Sequence, residues 1–331
     1  MLERLPNLYL VGVAKSATTA LWHQLKEHPQ INGGCVKEPH VLSSTRDRAQ
    51  ARKLYEKFYG TTVCERYMLD ASVLYGFRHR VPHIPYVLKE LSPEARILFV
   101  LREPFERLLS HFRYRVTLQR SSADLFRGVA DPYEGYLANS SYPYLLKPFL
   151  ELFGRRRVMV VTTEEFCQNP GSVLQLIYSW LDLDWQGHEA PGPRRQFETP
   201  ATTMAFNDER FFGRAFLRLR NQTTLRSAIP PALKRFARKR VSYREVHFAE
   251  DAVYQSQAHE LHCYLRPLFQ RWNCELEQLL DQPFTGWGQE SYSLRYQGVL
   301  SRKRVWVPKV LRADLRWLDS FHREGAERLS C

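Results

Sequence analysis

The feature that most constrains this chain is a unit that occurs three times: a short apolar run, a loop, and a stripe of apolar residues at helical spacing. Leu8-Tyr9-Leu10-Val11 runs into Gly12, and Leu21, Trp22 and Leu25 follow from Thr18 until His28-Pro29 ends the pattern. Ile97 to Leu101 is followed by Pro104, placed for a helix start, and by the stripe Phe105, Leu108, Leu109, Phe112 and Val116. Val158 to Val161 leads to Asn169-Pro170 and then to Val173, Leu174, Ile177, Trp180 and Leu181 on one face. Strands that are apolar throughout leave no face for water. Their alternation with amphipathic helices therefore predicts an α/β fold, a mainly parallel sheet flanked by helices on both faces. A short strand at Tyr67-Met68-Leu69 ending in Asp70 and a helix from about Tyr142 to Phe153 fit between these units.

The remainder of the chain is less regular. Residues 191–245 are rich in Pro and Arg and lack periodicity, which predicts a long basic excursion. Residues 250–281 read as a helical pair carrying Leu261, Leu265, Leu268, Leu276 and Leu279. The expected organisation is one domain over 1–285 and an appended segment over 286–331, with a helix near 310–322. Leu8 to Ala14 is too short an apolar run to span a bilayer, and Glu3 and Pro6 do not suit a leader peptide, so a chain without stable membrane insertion is expected.

Forty-eight Lys and Arg against 35 Asp and Glu leave a formal charge of +13, which favours an anionic partner. Nucleic acid is set aside, because the basic run from Arg214 to Arg244 comes with no recognition motif. The six cysteines form no CxxC pair, so neither a zinc module nor a disulfide framework is indicated. Cys263 and Cys274 on one straight helix would stand ~16 Å apart, too far to bond. His259 and His262 are three apart rather than the four of HExxH, and Pro82 interrupts His79 and His83, so no metal site is expected.

The loop after the first strand carries the clearest chemistry. In Gly12-Val13-Ala14-Lys15-Ser16-Ala17-Thr18-Thr19, small residues leave a buried strand and open a helix, so backbone N–H groups and the helix dipole face a common anion. A Walker A loop places Gly immediately before its Lys, and here that residue is Ala14, which counts against a nucleotide kinase or NTPase without removing it as the alternative.

These residues resemble the 5′-phosphosulfate loop of the sulfotransferases that use 3′-phosphoadenosine 5′-phosphosulfate (PAPS), whose form is Gly-x-x-Lys-[Ser/Ala]-Gly-Thr-[Thr/Ser]. The chain departs at Ala17, where a helix-start conformation would tolerate the methyl group. Arg102-Glu103-Pro104, with Ser110 eight positions after the Arg, resembles the family's 3′-phosphate motif. Ser140-Ser141-Tyr142, Leu146, Phe149, Phe153 and Glu165 resemble the stretch around its third strand, and Pro267, Asn273 and Leu276 resemble the closing helices of Golgi-type carbohydrate members.

The resemblance implies a P-loop-like fold with PAPS as donor and 3′-phosphoadenosine 5′-phosphate (PAP) as product. Lys15 would neutralise charge on the leaving oxygen, and the backbone and hydroxyls of Ser16, Ala17, Thr18, Thr19 and Ala20 would hold the 5′-phosphate. Arg102 and Ser110 would bind the 3′-phosphate. Lys37-Glu38-Pro39-His40 is similar to the family's Lys-Glu-Pro-His segment, which makes Glu38 the first choice of base and His40 its rival. Asp70 and Ser72 follow a strand and resemble a site-lining segment of the family, with structural capping the favoured expectation over a place in the site. No metal is chemically required. The implied acceptor is a carbohydrate or small molecule, neutral or anionic, sulfated at a hydroxyl or amine. The compartment implied is the cytoplasm for the chain as it stands, or the Golgi lumen for an ectodomain. A relative that binds anions without catalysis is the non-enzyme alternative.

Overall fold

The computed structural model describes residues 4–60, 65–130, 133–184, 202–206, 243–281 and Trp287. The described residues fall into two compact units. The first holds those in 4–107, 137–184 and 269–281 with Trp287, and the second those in 108–136, 202–206 and 243–268.

The first unit is built on five parallel strands, β1 (Leu8–Gly12), β2 (Ile31–Asn32), β3 (Tyr67–Asp70), β4 (Arg96–Leu101) and β5 (Val158–Thr162), in the order β2-β3-β1-β4-β5. The helices are α1 (Thr18–Leu25), α2 (Arg48–Tyr59), α3 (Ile84–Leu91), the first turn of α4 (Pro104–Thr117), α7 (Tyr142–Phe153), α8 (Thr163–Gln168) and α9 (Pro170–Trp180). Side chains of successive strand residues point to opposite faces. On one face Leu8, Leu10, Leu69, Leu98, Val100 and Val161 form a continuous core with Leu21, Trp22 and Leu25 of α1 and Val173, Leu174 and Ile177 of α9. On the other face Phe99 meets Phe149 of α7 edge to face at 5.2 Å, and Tyr9 lies 6.5 Å from Tyr75. Both faces are covered, as the apolar strands require. Each fully buried Leu, Val or Phe contributes about 1.5–3 kcal/mol.

Helix starts follow local chemistry. Asp47 caps α2 by accepting from the Gln50 N–H at 2.6 Å. Thr162 and Glu165 form a reciprocal capping box at the start of α8, which gives Glu165 a structural role. The stripe Ala51, Tyr55 and Tyr59 buries α2, a helix absent from the sequence-based expectation.

The second unit contains the rest of α4, α5 (Leu125–Ala130), part of α6 (Tyr133–Ala138), the antiparallel pair β6 (Thr202–Phe206) and β7 (Tyr243–His247), and most of α10 (Ala252–Leu280). Its packing centres on Phe112, stacked on Tyr254 at 5.9 Å and edge-on to Phe248 at 6.0 Å. Gln257 of α10 accepts from the Leu125 N–H and donates to Asp124.

Residues 250–281 depart from the expected helical pair, since α10 is one helix of 29 residues with Pro267 inside it. Proline removes a ladder bond and costs ~3 kcal/mol in a helix interior. Here the buried stripe Leu261, Leu265, Leu268, Trp272 and Leu276 continues through it, and that burial outweighs the lost bond. Cys263 and Cys274, carried on this single helix, are both free and exposed. The strands β6 and β7 also fall within or at the edge of the stretch read as lacking periodicity. The rest of that stretch, and the segment 286–331 apart from Trp287, lie outside the described residues.

Candidate active site

The strand order places the candidate site. From β1 the chain moves to β2 and β3 on one side, and β4 and β5 lie on the other, so the loops leaving β1 and β4 emerge side by side at the carboxyl edge where the order reverses. Past Gly12 the Val13 N–H donates to the Val100 carbonyl at 2.8 Å, which keeps the loop on β4 for one more residue. A turn over Val73–Gly76 lies against β1, where a Cβ on Gly76 would stand 2.6 Å from the Val11 carbonyl oxygen, so only glycine allows that approach.

The loop then takes an irregular path. Lys15 has φ 73° and Ala17 has φ 55°, both in the left-handed region. Ala17 was expected to sit in a helix-start conformation that suits a methyl group; instead it is the left-handed residue before α1, the geometry for which glycine is the low-cost choice. Leu21 is the first residue to donate back onto Ala17, at 3.1 Å, which leaves the amides of Thr18 to Ala20 outside the helical ladder. Ser16 is fully buried, and its Oγ meets no hydrogen-bond partner among the described residues. A buried hydroxyl beside unladdered amides suits an anion with several oxygens.

Arg102 follows β4. Its Nη1 donates to the Lys15 carbonyl at 3.4 Å and its Nη2 to Glu106 Oε2 at 3.2 Å, while its own carbonyl accepts from the Tyr142 hydroxyl at 2.5 Å. Five guanidinium donors leave capacity for a further anion. Glu103 accepts from the Glu106 N–H at 2.7 Å and so caps α4, and its own N–H donates to Glu164 at 3.0 Å. Burial pushes the Glu103 carboxyl up to about 7; the N–H groups of Glu106 and Phe105 oppose this, and the charges of Glu106 and Glu164 add to it. Arg107 is fully buried and donates to Ser140 Oγ at 2.7 Å, and Ser140 in turn donates to the Pro104 carbonyl at 3.0 Å. Ser110 lies two turns into α4, 5% exposed. Trp287 donates to Glu164 at 3.1 Å, with its ring 5.6 Å from Tyr142.

The two candidate bases are side by side. His40 Nε2 lies 3.3 Å from one Glu38 oxygen, and Lys37 Nζ lies 2.7 Å from the other. Burial raises the Glu38 carboxyl, but the His40 hydrogen bond and the Lys37 charge together outweigh it and leave the group below the ordinary carboxylate range. Glu38 is therefore ionised near neutral pH and able to accept a proton. Both residues have positive φ, 65° at Glu38 and 54° at His40.

Asp70 and Ser72 do not cap as expected. Ser72 makes no side-chain cap bond to the turn it precedes. Its Oγ donates to Asp70 Oδ1 at 2.6 Å and accepts from the His40 N–H at 3.1 Å. Asp70 Oδ2 accepts from Tyr55 at 2.7 Å and Tyr75 at 3.0 Å. Sequence reasoning missed Tyr55 and Tyr75, and the only available signal was the i, i+4 spacing of Ala51, Tyr55 and Tyr59. Among the described residues no group of three or more His, Cys, Asp or Glu could hold a metal ion, and no helix is long and apolar enough to cross a membrane.

Known proteins carry similar sequences. The human (Homo sapiens) carbohydrate sulfotransferase 15 is 19% identical, over 55% of this chain and 44% of that protein. The human heparan sulfate glucosamine 3-O-sulfotransferase 3B1 is 22% identical, over 55% and 47%. The chain spans about half the length of the curated relatives it matches. In fold, the crystal structure of a sulfotransferase from Alicyclobacillus acidocaldarius superposes with a TM-score of 0.56 at 21% identity, covering 86% of this chain and 98% of that one. The model of the sulfotransferase domain matches residues 5–214, which takes in the phosphate loop, the Glu38 segment, Arg102 and Ser110; the chain belongs to the sulfotransferase domain family.

Proposed function

We propose that this chain transfers the sulfuryl group of PAPS to a hydroxyl or amine of a carbohydrate or small-molecule acceptor, releasing PAP. The observation that carries this reading is the pairing of two strand ends. The loop after β1 and Arg102 after the neighbouring β4 stand at one sheet edge and are joined by the Arg102 bond to the Lys15 carbonyl. The amides of Ser16 to Ala20 and the Ser16 hydroxyl bind the 5′-phosphate, with Thr18 and Thr19 supplying further donors. Arg102 and Ser110 bind the 3′-phosphate, the group that distinguishes this nucleotide from ATP.

In the reaction the acceptor oxygen or nitrogen forms a bond to sulfur as the bond from sulfur to the 5′-phosphate oxygen breaks. The Lys15 ammonium stabilises the charge gathering on that oxygen. Glu38 takes the acceptor proton, with the His40 and Lys37 side chains placed against its two carboxylate oxygens. The names of the relatives favour a sugar acceptor, and the charge of +13 suits an anionic one. No step requires a metal ion.

A thermal-shift comparison tests the donor. PAP is expected to raise the melting temperature where ATP with magnesium does not. Stabilisation by ATP with magnesium alone would replace this reading with the kinase or NTPase one.

A further inference from the structure

We infer that Asp70 is a positioning residue for the acid–base segment, acting through the hydroxyls of Ser72 and Tyr75. The inference rests on the proposed role of Glu38 and His40. Two backbone N–H groups fix the segment that carries this pair. The His40 N–H donates to Ser72 Oγ at 3.1 Å, and the Leu42 N–H donates to the Tyr75 hydroxyl at 3.0 Å. A hydroxyl carries one proton and two acceptor lone pairs, so giving its proton to one group fixes the direction in which it accepts from another. Both of these protons go to Asp70, from Ser72 at 2.6 Å to Oδ1 and from Tyr75 at 3.0 Å to Oδ2, and Tyr55 adds a third donor at 2.7 Å.

Asp70, Ser72, Tyr55 and Tyr75 are each 1% exposed or less, so water does not substitute for any of these bonds. The carboxylate thus sets the direction of the two hydroxyls that accept from the His40 and Leu42 N–H groups. That direction matters because Glu38 and His40 both hold a left-handed backbone, which a non-glycine residue keeps only where its surroundings impose it. Val41 and Leu42, buried at 2% and 1%, fasten the far end of the segment in the core. The Glu38–His40 contact at 3.3 Å is therefore built from below, by a buried acid that is not itself the base.

Asp70→Asn keeps the size of the side chain and offers one acceptor oxygen where two are in use, so at least one hydroxyl must turn. Ser72→Ala removes the acceptor for the His40 N–H together with one of the three donors to Asp70, leaves the two tyrosine bonds in place, and serves as the milder variant should Asp70→Asn fold poorly. Each is compared with wild type by amide hydrogen exchange at His40 and Leu42, by PAP binding, and by kcat with labelled PAPS and a sulfated acceptor found by screening. Expected are faster exchange at His40 in both variants, PAP affinity within about twofold of wild type, and kcat lower by about 10²-fold in Asp70→Asn, the loss a small misplacement of a reacting group brings. Ser72→Ala is expected to lose about tenfold. Unchanged exchange at His40 in both folded variants would overturn the inference, and so would faster exchange with kcat intact. Full activity in Glu38→Gln would instead remove the base assignment, and the exchange result would still decide whether Asp70 holds the segment.

Discussion

The phosphate loop and the acid–base segment share one backbone oddity and support it in opposite ways. Each has two non-glycine residues in the left-handed region two positions apart, Lys15 and Ala17 in the first, Glu38 and His40 in the second. In the phosphate loop the supports are main chain: the Val13 N–H on Val100, the Leu21 N–H on Ala17 and the carbonyl of Lys15 under Arg102. Within it the Ser16 hydroxyl is buried and meets no hydrogen-bond partner among the described residues. In the acid–base segment the supports are side chains, a buried carboxylate and the hydroxyls of Ser72 and Tyr75. The phosphate loop spends the amides at its two ends, Val13 and Leu21, and leaves those of Thr18 to Ala20 off the helical ladder, whereas the acid–base segment spends the amides of His40 and Leu42 on buried hydroxyls.

The largest expected effects come from the side chains each loop presents. Lys15→Ala should lower kcat by about 10³-fold, since it removes the charge that meets the leaving oxygen. Glu38→Gln should cost about 10²–10⁴-fold in kcat with PAP binding retained. A His40→Ala variant that is dead beside a Glu38→Gln variant that is active would reverse the base assignment. Both sets of rates come from steady-state assays with labelled PAPS.

A smaller effect belongs to the acid cap between Arg102 and α4. Glu103 is raised to about 7 in the folded chain against an ordinary value of 4.5, so between these values the folded state holds a proton that the unfolded chain has released. Stability from this group is therefore lost as pH rises through that window. Glu103→Gln does not titrate, so its melting temperature should gain on wild type from about pH 5 to about pH 8. A constant difference across that range would show that Glu103 titrates normally.

The smallest effect separates the two kinds of support. Ala17→Gly should relieve the left-handed penalty of about 1–2 kcal/mol, less about 0.4–1 kcal/mol for the freer unfolded chain. The net is a gain of up to about 1.6 kcal/mol in a denaturant melt. Ala20→Gly, inside α1, should instead lose about 1 kcal/mol. Equal losses in both would mean that the loop is not strained at Ala17.

These contrasts follow how far each region could be read from residue order. Three strand–loop–helix units were legible because an apolar run and a 3.6-residue stripe are local patterns, and β1, β4 and β5 lie where those patterns put them. The short strand β2 has two residues and no pattern to detect. The single helix α10 was hidden by Pro267, which a local rule treats as a break and the buried stripe overrides. Lys15, Arg102 and Glu38 stood out because the roles proposed for them follow from contiguous motifs that resemble those of the family. The Asp70 network did not, because Tyr55, Asp70 and Tyr75 meet only after β3 has paired with β1 and α2 has packed. Ala17 was visible, but its φ of 55° depends on how the chain leaves β1.

In the proposed complex Arg102 reads the phosphate on the 3′ side of the same nucleotide whose 5′ side sits in the loop after β1. Calorimetric titration of PAP and of adenosine 5′-monophosphate into wild type and Arg102→Ala tests it directly. Wild type is expected to prefer PAP and Arg102→Ala to lose most of that preference, about 10–100-fold for one charged hydrogen-bonding group, with 5′-monophosphate binding little changed. An Arg102→Ala variant that keeps the full preference, or loses both ligands equally, would contradict it.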